Sequence, residues 1–204
     1  MSSSSFQLVF MFCFSILLLL LMSTSMQTVS AATTNKASAK TYKKFIKSAC
    51  NSTTYPKVCY KALSPCASAI KTDTNKLCNI ALSFTLNATY NASSSIDSLS
   101  KMKGLSPSEK EIIHDCAETT GEAIDELEKS LKTLANLQGS GHKADEMNDL
   151  KTWVSAVLTD EYTCTDEFDG QKVSKAVKNT INKSVLYLAQ LTSNCLALFN
   201  LLDY

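Results

Sequence analysis

The sequence predicts an all-α protein: an antiparallel up-down-up-down four-helix bundle preceded by a short, disulfide-stapled N-terminal helical hairpin. Three observations carry that expectation. Apolar residues recur every three or four positions over four stretches of about 20 to 30 residues, the pattern of amphipathic helices. Only five glycines and three prolines occur in 204 residues, too few for turn-rich strand architectures or phosphate-cradling glycine loops. Hydrophobic residues make up 45% of the chain, enough for a real core at single-domain length.

The first element, residues 1–31, reads as a secretory signal peptide. Phe6 to Met22 is almost wholly apolar, and small polar residues follow, ending in Val29-Ser30-Ala31-Ala32, which offers cleavage after Ala31 or Ala32. Its leading segment has no Lys or Arg, and the apolar run is about long enough to cross a bilayer, so an uncleaved anchor is the alternative. Cleavage removes Cys13, and no later stretch is apolar for long enough to span, so no membrane association is expected of the mature chain. Residues 32–39 are small and polar and read as a flexible lead-in. The folded domain is expected over 40–204, with its hairpin at 40–65 and its bundle at 71–203.

In the hairpin, Lys40 to Cys50 and Lys57 to Leu63 read as short helices around the turn Asn51-Ser-Thr-Thr-Tyr-Pro56. Cys50 and Cys59 stand nine apart across that turn, a spacing that closes a small loop. The first long helix, Asp73 to Lys101, carries Leu77, Ala81, Phe84, Ala88, Ala92 and Leu99 on one face. The second opens at Ser106-Pro-Ser-Glu, which supplies an N-cap, a proline at the first helical position and an early acid. Its stripe of Ile113, Cys116, Thr120, Ile124, Leu127, Leu131 and Leu134 runs to Leu137, and Gly139-Ser-Gly ends it. The third, Ala144 to Thr163, places Leu150, Val154, Val157 and Leu158 on one side with Trp153 beside them, and the fourth, Val173 to Leu202, repeats the rhythm through Val177, Ile181, Leu188, Leu191, Cys195 and Leu198. Short connections between such helices make neighbours antiparallel.

Charge and motif content exclude several functions. With 20 basic and 19 acidic residues there is no overall field to draw in nucleic acid. Two histidines are present, His114 and His142, neither in a hydrolase or zinc-protease motif, and both read as surface or loop residues. No catalytic residue, cofactor or metal site is expected. The acidic stretch Thr163-Cys164-Thr-Asp-Glu-Phe-Asp-Gly170 lacks the ligand alternation and distal glutamate of a calcium loop. A disulfide from Cys164 is favoured over a metal, with Cys116 a suitable mate because it lies in the apolar stripe of the preceding long helix. The acids around Cys164 read mostly as a solvated helix end. Seven cysteines beyond the signal fit an oxidising compartment, as do four sequons at Asn51, Asn87, Asn91 and Asn182, each a candidate for N-glycosylation.

Several motifs agree in order and spacing: the Cys50–Cys59 hairpin, HDCAE at 114–118, AIDELEKS at 123–130, WVSAVLTDEYTC at 153–164 and LTSNCLALFN at 191–200. Together they resemble the plant invertase and pectin methylesterase inhibitor family over essentially the whole mature chain. The resemblance implies disulfides Cys50–Cys59 and Cys116–Cys164, a secreted apoplastic protein of the cell wall, and no enzymatic activity. It implies a monomer that forms a one-to-one complex with a pectin methylesterase, lying across the pectin-binding cleft. Family contact positions fall on Glu118, Glu122, Asp125 and Thr163. The Pro-Lys-Phe motif of invertase inhibitors has no counterpart here, so acid invertase is the alternative target, and a non-inhibitory apoplastic binding protein is a third reading. Spacing adds that 118, 122 and 125 are four and three apart, one helical stripe, though one that equally suits an ordinary solvated face with Lys129 pairing to Asp125. Two features depart from the family pattern. Cys66, Cys78 and Cys195 are extra, with Cys66–Cys78 a candidate third bridge and Cys195 a buried small residue. Thr120 stands where many members carry an aromatic.

Overall fold

The computed structural model describes residues 37–202, and the signal-peptide reading lies outside them. The chain divides into two units, 1–41 and 42–204. Of the first, residues 37–41 are described; they are helical, where a flexible lead-in was expected through residue 39.

In the second unit, residues 42–50 are helical (α1) and lead through a turn into α2, Pro56–Leu63, which starts on its own proline. A 3-10 turn, Ser64–Cys66, and a single helical turn, α3, Ala67–Ile70, continue the hairpin. The four long helices follow: α4, Thr74–Ser100; α5, Pro107–Asn136; α6, Lys143–Asp166; and α7, Lys175–Phe199. Each packs chiefly on two others, α4 and α6 both contacting α5 and α7, so the four close a square. Connections of a few residues make neighbours antiparallel. The linkers from α4 to α5 and from α6 to α7 turn at Gly104 and Gly170, whose φ values of 81° and 75° are left-handed conformations that side chains disfavour.

The square is filled in two layers. One joins the hairpin to the bundle: Ile46, Leu63 and Ile70 pack with Leu77, Leu82, Leu127, Leu150, Leu198 and Phe199, all fully buried. The other, at the far end, gathers Ile96, Ile112, Ile113, Phe168, Val177 and Ile181 around Cys116 and Cys164. Burying each such side chain contributes about 1.5–3 kcal/mol. Buried hydroxyls bond within their own helices: Thr85 and Thr89 donate to the carbonyls of Ala81 and Thr85 at 3.1 and 3.0 Å. Polar side chains thus sit in the α4 interface without an unmatched donor.

Both implied disulfides are formed, Cys50–Cys59 with Cα atoms 5.5 Å apart and Cys116–Cys164 at 4.7 Å. The third bridge is not. Cys66 sits half-buried on the 3-10 turn, whereas Cys78 points into the core and donates its thiol to the Leu198 carbonyl at 3.4 Å. The two thiols therefore serve different environments, and both remain free together with Cys195. Cys195 is buried as expected of a small core residue, accepting from the Thr85 hydroxyl.

Three of the long helices start on a capping side chain, Asp73 for α4, Ser106 for α5 and Ser174 for α7. Ser106 accepts from the Glu109 amide at 3.2 Å while Glu109 accepts from the Ser106 amide at 2.8 Å, a capping box. Its other carboxylate oxygen accepts from the amide of Ser174 at 2.9 Å, the N-cap of α7. One carboxylate thus sits at two positive helix ends, and the Ser174 hydrogen bonds, then that from Ser106, hold it down to about 2. Ser106→Ala is expected to lose about 1 kcal/mol in urea unfolding; no loss would mean that the cap carries nothing.

Candidate functional site

The candidate site is the seam of α5 and α6. On α5 the buried positions 112, 116, 120, 123 and 127 follow the helical period, which leaves Glu118, Glu122 and Asp125 exposed on the opposite side. On α6, Thr163 is exposed and donates its hydroxyl to the Thr159 carbonyl at 3.0 Å. The Cys116–Cys164 staple lies two residues before Glu118 and one after Thr163, and its 4.7 Å Cα separation is among the closest approaches that a disulfide permits. It brings Glu118 and Thr163 to the same end of the seam.

The acidic stripe does not run evenly along that seam. Glu122 faces α6, where its charge acts on Asp160, whereas Asp125 faces α4 and acts on Tyr90. Tyr90 donates its hydroxyl to Glu128, a link across the α4–α5 side. Lys129 is not ion-paired to Asp125; its charge is felt by Glu126 instead. The three acids are therefore a patch that widens from α6 towards α4, without an ion-paired lysine among the described residues.

Of the carboxyls beneath that patch, Glu161 is buried and Asp160 and Glu126 are half-buried, whereas the acids around Cys164 were expected to be mostly a solvated helix end. Burial, then repulsion from Glu122, pushes Asp160 up to about 6. Burial also raises Glu126, followed by repulsion from Asp160 and Glu122, against the attraction of Lys129. Glu161 is 4% exposed, which pushes it up to about 8, with Asp160 adding a smaller repulsion. One of its oxygens accepts from the Thr192 hydroxyl of α7 at 2.7 Å, and the other is buried without a partner among the described residues. A carboxyl so placed is neutral in mildly acidic solution. The sequence signal for Glu161 was available: it falls four residues after Val157, on the buried stripe of α6.

Thr120 is buried beside the staple and donates to the Cys116 carbonyl. Together with Thr119, Glu161 and Cys164 it lines a void of about 10 Å³, space that a larger side chain would take up. The four sequon asparagines are dispersed: Asn51 exposed after α1, Asn87 and Asn91 exposed on α4, Asn182 half-buried on α7. His114 and His142 are both exposed, the latter preceding α6 as its cap residue. Among the described residues no three metal-binding side chains converge, and no helix is long and apolar enough to cross a membrane. The seam thus offers an exposed acidic patch beside the staple, which suits docking to another protein.

The sequence profile of the family described as plant invertase/pectin methylesterase inhibitor matches residues 44–198. The chain is 38% identical over 167 residues to a carrot (Daucus carota) protein named 21 kDa protein, covering 80% of this chain and 86% of that one. It is 40% identical over 159 residues to pectinesterase inhibitor 10 of Arabidopsis thaliana, covering 77% of this chain and half of that longer protein. In fold it is similar to the crystal structure of a mutant form of a pectin methylesterase inhibitor from Arabidopsis, with a TM-score of 0.59 and 22% identity over 76% of this chain and 94% of that one.

Proposed function

The chain belongs to the plant invertase/pectin methylesterase inhibitor family, and from that premise we propose that it is a secreted inhibitor of pectin methylesterase acting in the cell wall, not an enzyme. The observation that carries the target is the naming of relatives such as pectinesterase inhibitor 10 for that enzyme. The α5–α6 seam is the docking surface in this proposal, with Glu118, Glu122, Asp125 and Thr163 as contacts. The bundle acts as a monomer, one per esterase, and lies across the pectin-binding cleft so that the polymer cannot enter. Two features support the placement: the three acids are exposed and not ion-paired among the described residues, and the staple locks the stretch of the seam where Glu118 of α5 and Thr163 of α6 lie. A preformed surface loses little side-chain and backbone freedom on binding, which favours affinity.

Titration of the oxidised mature chain into pectin methylesterase and acid invertase in parallel, at pH 6, tests the target. Loss of esterase activity at one equivalent, with invertase untouched, is expected. Loss of invertase activity alone would transfer the function to that enzyme, and inhibition of neither by a folded bundle would favour the non-inhibitory reading. Glu122→Lys tests the surface. It should weaken esterase inhibition about 10- to 100-fold, as reversal of a charge at an interface does. Its thermal unfolding should be unchanged or slightly higher, because the substitution removes the repulsion that Glu122 exerts on Asp160. Parental inhibition by this variant would rule out the seam.

A further inference from the structure

On the side of the square opposite the seam, α4 and α7 enclose an open trough of about 1010 Å³, at the upper end of the size of small-molecule sites. Its floor is made of small side chains, Ala88, Ala92 and Ser184, and Phe84 with Leu191 closes the end nearer the hairpin. Tyr187, 46% exposed, stands on its α7 wall. An apolar-lined trough of this size on a protein surface marks a place where something binds. On its α4 edge lie Asn87 and Asn91, one helical turn apart, both exposed and neither with its side-chain amide engaged in a hydrogen bond among the described residues. Each heads a sequon, Asn87-Ala-Thr and Asn91-Ala-Ser. Of the other sequon residues, Asn182 is half-buried and Asn51 follows the disulfide hairpin's first helix; neither borders the trough.

We propose that the α4–α7 trough seats an N-linked glycan that the chain itself carries on Asn87 or Asn91. The inference rests on the secretory reading above, since only a chain that enters the secretory pathway meets the glycosyl donor. In the attachment, the asparagine side-chain nitrogen attacks the anomeric carbon of an oligosaccharide held on a lipid pyrophosphate. The nitrogen–carbon bond forms, the carbon–oxygen bond to phosphate breaks, the lipid pyrophosphate leaves with the electron pair, and the amide gives up one proton. The first sugars then have an aromatic face and small side chains for their apolar sides, with Asn179, Thr180 and Lys183 along the rim for their hydroxyls. Because α4–α7 lies opposite α5–α6 in the square, the glycan leaves the seam open. The molecule thereby has one face clothed in sugar and one face free to dock.

The test is full-length expression in plant cells, recovery of the protein outside the cell, and mapping of glycosylated asparagines by amidase release and peptide mass. Nitration of Tyr187 by tetranitromethane is then compared before and after release. The expected result is a glycan on Asn87 or Asn91 and nitration of Tyr187 slowed roughly fivefold while the sugar is present, as cover by an ordered group requires. A secreted chain bare at both positions, whether or not Asn51 or Asn182 is modified, overturns the inference and leaves the secretory reading intact. Equal nitration with and without the sugar overturns its placement in the trough. A chain retained inside the cell with all four sequons bare overturns the secretory reading and this inference with it. The double variant N87Q/N91Q should inhibit as the parent does; a folded variant that no longer inhibits would overturn the division of faces.

Discussion

Replacing Cys116 and Cys164 together by alanine is expected to lower stability by about 4 kcal/mol, whereas the same change at Cys50 and Cys59 should cost about 2.5 kcal/mol. The difference follows from the unfolded chain. A bridge between residues 48 apart restricts far more of the denatured ensemble than one between residues nine apart, and the cost grows with the logarithm of the closed loop. Both bridges are buried, so the cavities left behind are comparable and do not decide the order. For a domain of this length the larger loss corresponds to a melting temperature lower by about 10 °C. Urea unfolding of the two double variants beside the parent measures it. Equal losses, or a larger loss at the hairpin, would show that native packing around the bridges outweighs loop closure. The same variant bears on function: without the staple, Glu118 and Thr163 lose their fixed register, and inhibition should fall even where the bundle is still folded.

Stability should also decline as the solution is made alkaline, and Glu161 sets that trend. Its carboxyl is raised from 4.5 to about 8 in the folded chain. A raised acid contributes fully below its unfolded value, and that contribution is lost as pH climbs through the folded one. Between pH 5 and pH 8 the loss should be about 3 kcal/mol. Asp160, raised to about 6, acts in the same direction at lower pH. Glu109 acts oppositely: held down to about 2, it stabilises above its unfolded value of 4.5 and is lost as pH falls towards 2. Together they place the stability maximum near pH 4. Denaturant unfolding from pH 3 to pH 9 measures the profile, and Glu161→Gln, which cannot ionise, should flatten its alkaline side. A variant whose stability falls between pH 5 and pH 8 as steeply as the parent's would refute the assignment.

Much of this was legible in the sequence because helical periodicity repeats over many turns. The start of α5 was read to the residue, since Ser106, Pro107 and Glu109 form a local signal with its own geometry. The far end of α7 was overrun by three residues, because Leu202 continues the apolar spacing beyond the helix, which ends at Phe199. The single turn Ala67–Ile70 escaped entirely; four residues cannot display a period. The acids near Cys164 show a different limit. Whether Asp160 and Glu161 meet water depends on α5 and α7 closing over them, which composition around the cysteine does not report. The candidate contacts were reached by resemblance rather than spacing, and the structure adds that they are exposed and that Lys129 does not neutralise Asp125.

The hairpin is held to the bundle by an arrangement with a consequence for synthesis. Asn194 clamps the backbone of Tyr55, accepting from its amide at 2.9 Å and donating to its carbonyl at 3.1 Å, and Ser193 donates to Thr54 beside it. These partners are 139 residues apart, and Ile46 and Leu63 share their core cluster with Leu191, Leu198 and Phe199 of α7. Chains are made from the N-terminus at about 5–20 residues per second, so the hairpin waits at least several seconds for the helix that receives it. Its Cys50–Cys59 bridge, needing only residues nine apart, can close in that interval. The bridge thus preserves the shape of a segment that has nothing yet to rest on, until α7 emerges and fills its places in both core layers.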